Sequence, residues 1–162
     1  FGDYNPGGKL PITYPRSPGY FPTYDVQPFG NFAPGTPFTP QFEFGSGLSY
    51  TTFEYSDLKL SSKTIGLSDN LTVSFRVTNT GKRTGKETAI LYLRDEISSM
   101  TPAAKRVKRF AKIALAPNES KTLTFTLGRE DLQFINSDNK PIVEPGDFTV
   151  LVGGLSGAFT LK

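Results

Sequence analysis

The sequence predicts an all-β sandwich that follows a long extended arm, and two observations lead to that prediction. Residues 53–162 contain short runs rich in β-branched and aromatic residues, separated by turn residues roughly every 8 to 12 positions. Residues 1–41 instead hold nine of the 13 prolines, each of which removes a backbone donor and restricts its predecessor. The composition changes within 42–53, where Gly45 and Gly47 are predicted to form a tight turn into the first strand.

The runs after this turn show the patterns expected of strands. Apolar side chains recur at every second position from Leu71 to Val77, as in a strand with one buried face. The run at 88–93 is more continuously apolar, which indicates a central strand. The predicted strands are 53–60, 71–77, 88–93, 107–115, 123–127, 147–152 and 157–161, with one helical turn at 129–134 and a hairpin loop at 137–140. Their number and spacing are typical of an immunoglobulin-like sandwich.

The arm is rich in both proline and aromatic residues, whereas disordered linkers are poor in aromatics. Aromatic side chains are costly to leave in water, at about 25 cal/mol per Å² of apolar surface. We therefore expect the arm to lie along another surface, either its own sandwich or a further domain. Before it, the run Asn5-Pro6-Gly7-Gly8 predicts a turn, which is followed by a predicted short strand at 9–14.

The amino-acid composition excludes most of the common catalytic mechanisms. The chain has no cysteine and no histidine, so thiolate chemistry, disulfides and the commonest general base and metal ligand are missing. Asp138 and Asn139 supply too few oxygens for calcium, and we expect no metal and no cofactor. No apolar run approaches the roughly 20 residues of a membrane span. The sequence begins at Phe1 and shows neither an initiator methionine nor a signal peptide, so we expect Phe1 to be an internal position of a longer protein.

Positive charge is concentrated in one region of a chain whose net charge is +3. The run Lys105-Arg106-Val107-Lys108-Arg109 could indicate a nucleic-acid site. It lies inside a predicted strand, however, and Phe110 is the one aromatic residue close by. We interpret these charges as solvated side chains that protect an edge strand from pairing with other proteins, and we expect no nucleic-acid partner.

Several blocks resemble glycoside hydrolase family 3, which contains β-glucosidases and β-xylosidases. In chain order they are GDYNPGGKLPITYP at 2–15, FEFGSGLSYTTFEYSDLKLS at 42–61, VTNTGKRTGKETAILYLRD at 77–95, RVKRFAKIALAPNESKTLTFTL at 106–127 and VEPGDFTVLVGG at 143–154. Because the blocks follow the family's order, the resemblance covers essentially the whole chain. It implies that 1–15 is the end of an upstream α/β domain, 16–52 an interdomain arm and 53–162 a fibronectin type III-like sandwich.

The resemblance also implies a function for the longer protein. It would be a secreted or periplasmic β-glucosidase that hydrolyses terminal β-linked sugars with retention and without a cofactor. In the family, the nucleophile and the acid/base lie upstream of the segments matched here, so we assign no catalytic residue and expect this chain alone to be inactive. The expected partners are the upstream catalytic domains, and the expected substrate of the whole enzyme is a glucoside or β-linked oligosaccharide.

Two alternatives concern the arm. In this family the arm can pass near the mouth of the active site, so Tyr20, Phe21, Tyr24 and Phe29 could form an outer sugar subsite. Packing between domains is the preferred interpretation of these side chains. The chain could instead be a stand-alone immunoglobulin-like module that binds carbohydrate through the same aromatic residues.

The carboxylates of the chain were also considered, because retaining glycosidases use a pair roughly 5 to 5.5 Å apart. Adjacent residues on a strand face opposite ways, and acids in turns usually form caps or face solvent. We therefore assign structural roles to these carboxylates. They are Glu43 with Glu54, Asp95 with Glu96, Glu130 with Asp131, and Asp138.

Overall fold

The computed structural model describes residues 2–18, 40–101 and 103–162, and these residues are almost entirely strands and turns. The elements in chain order are β1 (Phe53–Leu60), β2 (Thr64–Ile65), β3 (Leu71–Asn79), β4 (Gly85–Asp95), β5 (Arg106–Leu115), β6 (Ser120–Leu127), α1 (Arg129–Leu132), β7 (Phe134–Ile135), β8 (Pro141–Ile142), β9 (Gly146–Val152) and β10 (Leu155–Leu161).

Two sheets pack face to face and confirm the predicted all-β sandwich. One has the strand order β1-β3-β6, and the other has the order β2-β10-β9-β4-β5. All pairings in these sheets are antiparallel except the short parallel pair between β2 and β10. The short pair β7-β8 forms a separate hairpin around the predicted loop at 137–140.

The core lies between the inner faces of the two sheets. The alternation from Leu71 to Val77 is confirmed, because every second side chain of β3 is buried there. Phe75 packs between Tyr55 and Phe125, with ring centroids 6.0 and 5.8 Å away. These aromatic contacts join the middle strand of the smaller sheet to both of its neighbours, so the inner face of that sheet is one continuous apolar surface.

Asn79, at the end of β3, is fully buried and hydrogen-bonded on every side. Its side-chain amide donates to the carbonyl oxygens of Arg83 and Leu115 at 2.8 and 3.0 Å. Its Oδ1 accepts from the hydroxyl of Thr51 at 2.7 Å and from the amide of Gly81 at 3.1 Å. This one side chain therefore connects β3, the β3–β4 turn, the end of β5 and the segment that leads into β1.

The predicted strand at 9–14 is wrong. Within the described residues this segment forms one isolated bridge, between Tyr14 and Phe42, and no ladder. Pro11 and Pro15 have no amide hydrogen, so a continuous row of backbone donors cannot form here. The predicted helical turn is confirmed by α1, although it is shorter than the predicted 129–134.

The aromatic core provides the first prediction. Replacing Phe75, which is 1% exposed, by alanine should lower the free energy of unfolding by about 3–5 kcal/mol, because a cavity replaces a buried ring. The matched control is Phe110→Ala, since Phe110 is 72% exposed and should change stability by no more than about 0.5 kcal/mol. Urea unfolding of the two variants measures the difference, and equal losses would contradict the described core.

Candidate docking surface

Two stretches that precede the sandwich, 2–14 and 40–52, are hydrogen-bonded to each other. The amide of Leu10 donates to the carbonyl of Ser46, and the amide of Gly45 donates to the carbonyl of Leu10, both at 2.8 Å. The amide of Tyr14 donates to the carbonyl of Phe42 at 2.7 Å. Gly45 has a φ of +83°, a conformation that favours glycine, as predicted for a tight turn before β1.

Asn5 connects the first stretch both to the second stretch and to the sandwich. Its Oδ1 accepts from the hydroxyl of Ser49 at 2.9 Å and from the amide of Tyr50 at 2.8 Å. Its Nδ2 donates to the carbonyl oxygen of Thr84, just before β4, at 3.1 Å. The Asn5-Pro6-Gly7-Gly8 turn predicted from the sequence therefore carries a specific structural contact.

An ion pair holds the first stretch against β4. The ammonium of Lys9 lies 3.2 Å from Oε1 of Glu87, and the hydroxyl of Tyr55 donates to the same oxygen at 2.9 Å. Burial raises the pKa of Tyr55, and the neighbouring charge of Glu87 raises it further, so the phenol stays protonated. Thr88 adds a hydrogen bond from its hydroxyl to the carbonyl of Gly7 at 2.9 Å.

The two stretches approach the sandwich so closely that side chains would not fit at some positions. A Cβ on Gly7 would lie 2.5 Å from the carbonyl oxygen of Lys86, and one on Gly45 would lie 2.5 Å from the hydroxyl of Tyr92. Phe44 packs edge-to-face on Tyr92, with ring centroids 6.2 Å apart. The stretches therefore cover part of β4 and are fixed to it over several contacts.

The same two stretches expose large apolar side chains that the sandwich does not cover. Six of them, which we call the N-terminal docking surface, are Tyr4 (68% exposed), Ile12 (48%), Tyr14 (50%), Phe42 (50%), Leu48 (87%) and Tyr50 (57%). Tyr14 and Phe42 lie side by side, with ring centroids 6.3 Å apart. Exposed apolar residues concentrated in this way mark contact sites for other protein surfaces.

The sugar subsite predicted at Tyr20, Phe21, Tyr24 and Phe29 lies outside the described residues. The docking surface was not predicted residue by residue, although the arm that precedes the sandwich was expected to lie against another surface. What sequence reasoning missed is that the hydrogen bonds of Leu10 join the two stretches and that Asn5 fixes them to the sandwich. Asn-Pro-Gly-Gly signals a turn, but it does not reveal where the asparagine side chain points.

The basic run at 105–109 lies on an edge strand, as predicted, because β5 is the last strand of the larger sheet. The prediction that its charges are simply solvated is wrong. The guanidinium of Arg109 donates to both carboxylate oxygens of Asp131 at 2.7 Å, and Oδ2 of Asp131 also accepts from the amide of Gly128 at 2.9 Å. This bidentate pair joins the edge strand to α1.

Lys108 is half-buried beside this pair. The register between β4 and β5 shifts between Leu91 and Tyr92, which changes the alternation of β5 at this position. Burial lowers the pKa of Lys108 from 10.5 to about 8, and the charge of Arg106 lowers it further. The opposite charge of Asp131 offsets only part of this effect.

Asp95 and Glu96, also considered from the sequence, lie at the end of β4. Glu96 accepts from Nε of Arg94 at 2.9 Å and from the hydroxyl of Thr149. Asp95 is buried, and that burial raises its pKa.

In residues 2–18, 40–101 and 103–162, no three His, Cys, Asp or Glu side chains lie close enough together to hold a metal ion. Among the same residues, no helix is long and apolar enough to cross a bilayer.

Comparison with known proteins relates this chain to glycosidases. Residues 87–156 match the family of fibronectin type III-like domains. The chain is 46% identical, over its whole length, to a β-xylosidase of Formosa agariphila, of which it covers 23%. It is 42% identical, over 94% of its length, to a periplasmic β-glucosidase of Salmonella typhimurium, of which it covers 22%.

Solved structures give the same result. A β-glucosidase from Erythrobacter marinus superposes with a TM-score of 0.88 at 39% identity, covering 100% of this chain and 22% of that one. A β-glucosidase from Listeria innocua in complex with glucose superposes with a TM-score of 0.83 at 30% identity, covering 99% of this chain and 25% of that one. The chain therefore spans about a quarter or less of the proteins it matches.

The role of Asn5 gives the second prediction. Asn5→Ala removes three hydrogen bonds, so the first stretch should open more often, and the amides of Leu10 and Gly45 should exchange with solvent roughly ten- to hundredfold faster. Hydrogen exchange measured by NMR gives these rates. The control is Asn70→Ala, because Asn70 is an exposed asparagine far from these stretches in sequence. Equal rates in wild type and Asn5→Ala would contradict the proposed anchoring.

Lys108 gives the third prediction, which concerns pH. Because folding lowers the pKa of Lys108 to about 8, its charge destabilises the native state below that pH, and the penalty is relieved as pH rises towards 10.5. Lys108→Met should therefore raise the free energy of unfolding more at about pH 7 than at about pH 10. Lys112→Met, at an exposed position of the same strand, should show no such trend. Urea unfolding at both pH values tests this, and a pH-independent difference would exclude the burial effect.

Proposed function

We propose that this chain, which belongs to glycoside hydrolase family 3 and carries its fibronectin type III-like C-terminal domain, packs against the catalytic domains of a retaining β-glycosidase and stabilises them. Within it, residues 1–15 would end an upstream α/β domain, 16–52 would run between domains and 53–162 would be the accessory sandwich. In this proposal the chain has a structural role, and the catalytic residues lie elsewhere in the longer protein.

The N-terminal docking surface is the observation that supports this role. Its six side chains stand on two stretches that are joined to each other by Leu10 and fixed to the sandwich by Asn5 and Lys9. A surface that is held in place before binding loses little conformational entropy when it binds, so most of the apolar contact contributes to association. The upstream domains of the same protein are the partner that such a surface suits best.

The catalytic step would use residues outside this chain. Retaining hydrolysis needs a nucleophilic carboxylate and a second carboxyl group roughly 5 to 5.5 Å away. Here Glu87, Glu96 and Asp131 each hold a cation or a hydroxyl of the fold. We therefore propose that the whole enzyme hydrolyses terminal β-linked sugars without a cofactor, and that these carboxylates serve the structure.

The proposed substrate is a β-glucoside or a β-linked oligosaccharide, in keeping with relatives named as β-glucosidases. A β-xyloside is the second candidate, since the relative that is 46% identical is named a β-xylosidase. A stand-alone carbohydrate-binding module is not favoured, because the named relatives are glycosidases several times longer than this chain. Secretion to the periplasm or beyond remains part of the proposal and is supported by the name of one relative.

The aromatic residues Tyr20, Phe21, Tyr24 and Phe29 belong to the same proposal. Packing against the catalytic domains is the role we propose for them, because a stretch rich in proline and aromatic residues suits contact between domains. A contribution to an outer sugar subsite is the alternative. Alanine substitution would separate the two, since the first role affects thermal stability and the second affects KM for longer substrates.

The fourth prediction tests the docking surface in the full-length protein. Phe42→Ser should lower its melting temperature by roughly 2 to 4 °C, because an apolar contact between domains is lost. The control is Phe110→Ser, which removes the same side chain from an exposed position on β5. Differential scanning calorimetry measures both variants, in the full-length protein and in the 162-residue chain.

The comparison between the two forms of the protein decides the outcome. We expect Phe42→Ser to destabilise the full-length protein by more than it destabilises the chain alone, and Phe110→Ser to act equally in both. If Phe42→Ser has the same effect in both forms, the N-terminal docking surface does not contact the catalytic domains and the proposed packing is wrong.

A further inference from the structure

Lys108 occupies an irregular position of the edge strand β5. The register between β4 and β5 shifts here, so that Lys108 is an extra residue with no partner on β4. A bulge of this kind takes a side chain out of the regular alternation of its strand. The side chain of Lys108 is half-buried as a result, whereas Lys112, further along the same strand, is exposed.

The groups around Lys108 disfavour its ammonium. Arg106 and Arg109 of the same strand repel the cation, and Asp131 of α1 attracts it. Both oxygens of that carboxylate, however, already accept from the guanidinium of Arg109 at 2.7 Å. Among the residues that the structure describes, the Lys108 ammonium forms no hydrogen bond and no ion pair of its own. A cation that is half-buried without a partner is costly, and the uncharged amine avoids that cost.

The uncharged amine of Lys108 is therefore present near neutral pH. Burial, together with repulsion by Arg106, lowers the pKa of Lys108 from 10.5 to about 8. At about pH 7.4, roughly a fifth of amines with such a pKa are uncharged, against roughly one in a thousand of ordinary lysines. The uncharged amine is the nucleophilic form, and desolvation next to other cations is a known way to activate a lysine. Cysteine and histidine, which would compete for electrophiles, are missing from the chain.

A reducing sugar supplies a suitable electrophile. Its open-chain form carries an aldehyde, which is small and uncharged, and lysine amines form Schiff bases with carbonyl compounds of this kind. A glycosidase that removes terminal sugars releases reducing monosaccharides next to its own surface. In this choice of sugar the inference rests on the proposed function, whereas the reactivity of the amine depends only on residues of the sandwich.

We propose that Lys108 is a site of covalent modification by reducing monosaccharides, the products that the whole enzyme would release. The lone pair of Nζ attacks the aldehyde carbon, and an imine forms as one water leaves with the aldehyde oxygen and both amine hydrogens. The imine then isomerises to a stable ketoamine. In that step the second carbon of the sugar is oxidised from alcohol to ketone while the first is reduced to an amine, so no external oxidant or reductant takes part.

The rate of modification at single lysines tests this proposal in the full-length protein. The protein is incubated with D-glucose or D-xylose, and peptide mass spectrometry follows the gain of one sugar less one water at Lys108 and at Lys112. At about pH 7.4 Lys108 should react roughly tenfold faster, because its larger uncharged fraction is only partly offset by the weaker nucleophilicity of a less basic group. Methyl β-glucoside, which cannot open to an aldehyde, should modify neither lysine.

Two further measurements separate the effect of the fold from simple exposure. The rate at Lys108 should level off above about pH 8, whereas ordinary lysines gain uncharged amine up to about pH 10, so the excess over Lys112 should shrink as pH rises. In urea the excess should vanish, because unfolding removes the burial. As matched variants, Lys108→Arg should lower the total incorporation of sugar by more than Lys112→Arg does.

Three results would overturn the proposal. They are equal rates at Lys108 and Lys112 in the folded protein, an excess that does not change with pH, and an excess that persists in urea. All three leave the packing test with Phe42 untouched. Failure of that packing test would in turn leave a faster reaction at Lys108 standing, so the two hypotheses can fail separately.

Discussion

The hydrogen bonds of Asn79 are the constraint on which this sandwich depends at its N-terminal end. A fully buried amide must satisfy two donors and an acceptor without water, and Asn79 does so with four groups from three segments outside β3. Because the partners come from the segment before β1, the β3–β4 turn and the end of β5, the amide is satisfied only when all three segments are in place. Thr51 is one of these partners, so the same network aligns the stretch that carries the exposed aromatic residues.

Much of the fold follows from patterns that are visible in the sequence. The alternation from Leu71 to Val77 predicted a half-buried strand because one face of β3 meets the core and the other does not. The first strand was predicted with the bounds it has, 53–60, because a glycine turn and a run of aromatic and β-branched residues lead into it. The strand predicted at 9–14 was wrong, because the hydrogen bonds of this segment go to residues far away along the chain, such as Leu10 with Ser46.

The functional surfaces were less accessible to sequence reasoning, for a related physical reason. A run of basic residues on an edge strand has the same pattern whether its charges face solvent or pair with a distant acid. Arg109 meets Asp131 across 22 positions of the chain, and the shifted register of β5 places Lys108 in a half-buried site. Neither the contact between Arg109 and Asp131 nor the burial of Lys108 can be recognised from the neighbouring residues in the sequence.

The bridge between Tyr14 and Phe42 has a consequence for how such a protein can vary. The two residues lie side by side, and their separation is set by their own hydrogen bonds. The entropy of closing a loop grows slowly with its length, by only about 0.6 kcal/mol for each doubling. Insertions and deletions between the two residues can therefore accumulate in evolution while the sandwich and its anchored stretches keep the same geometry.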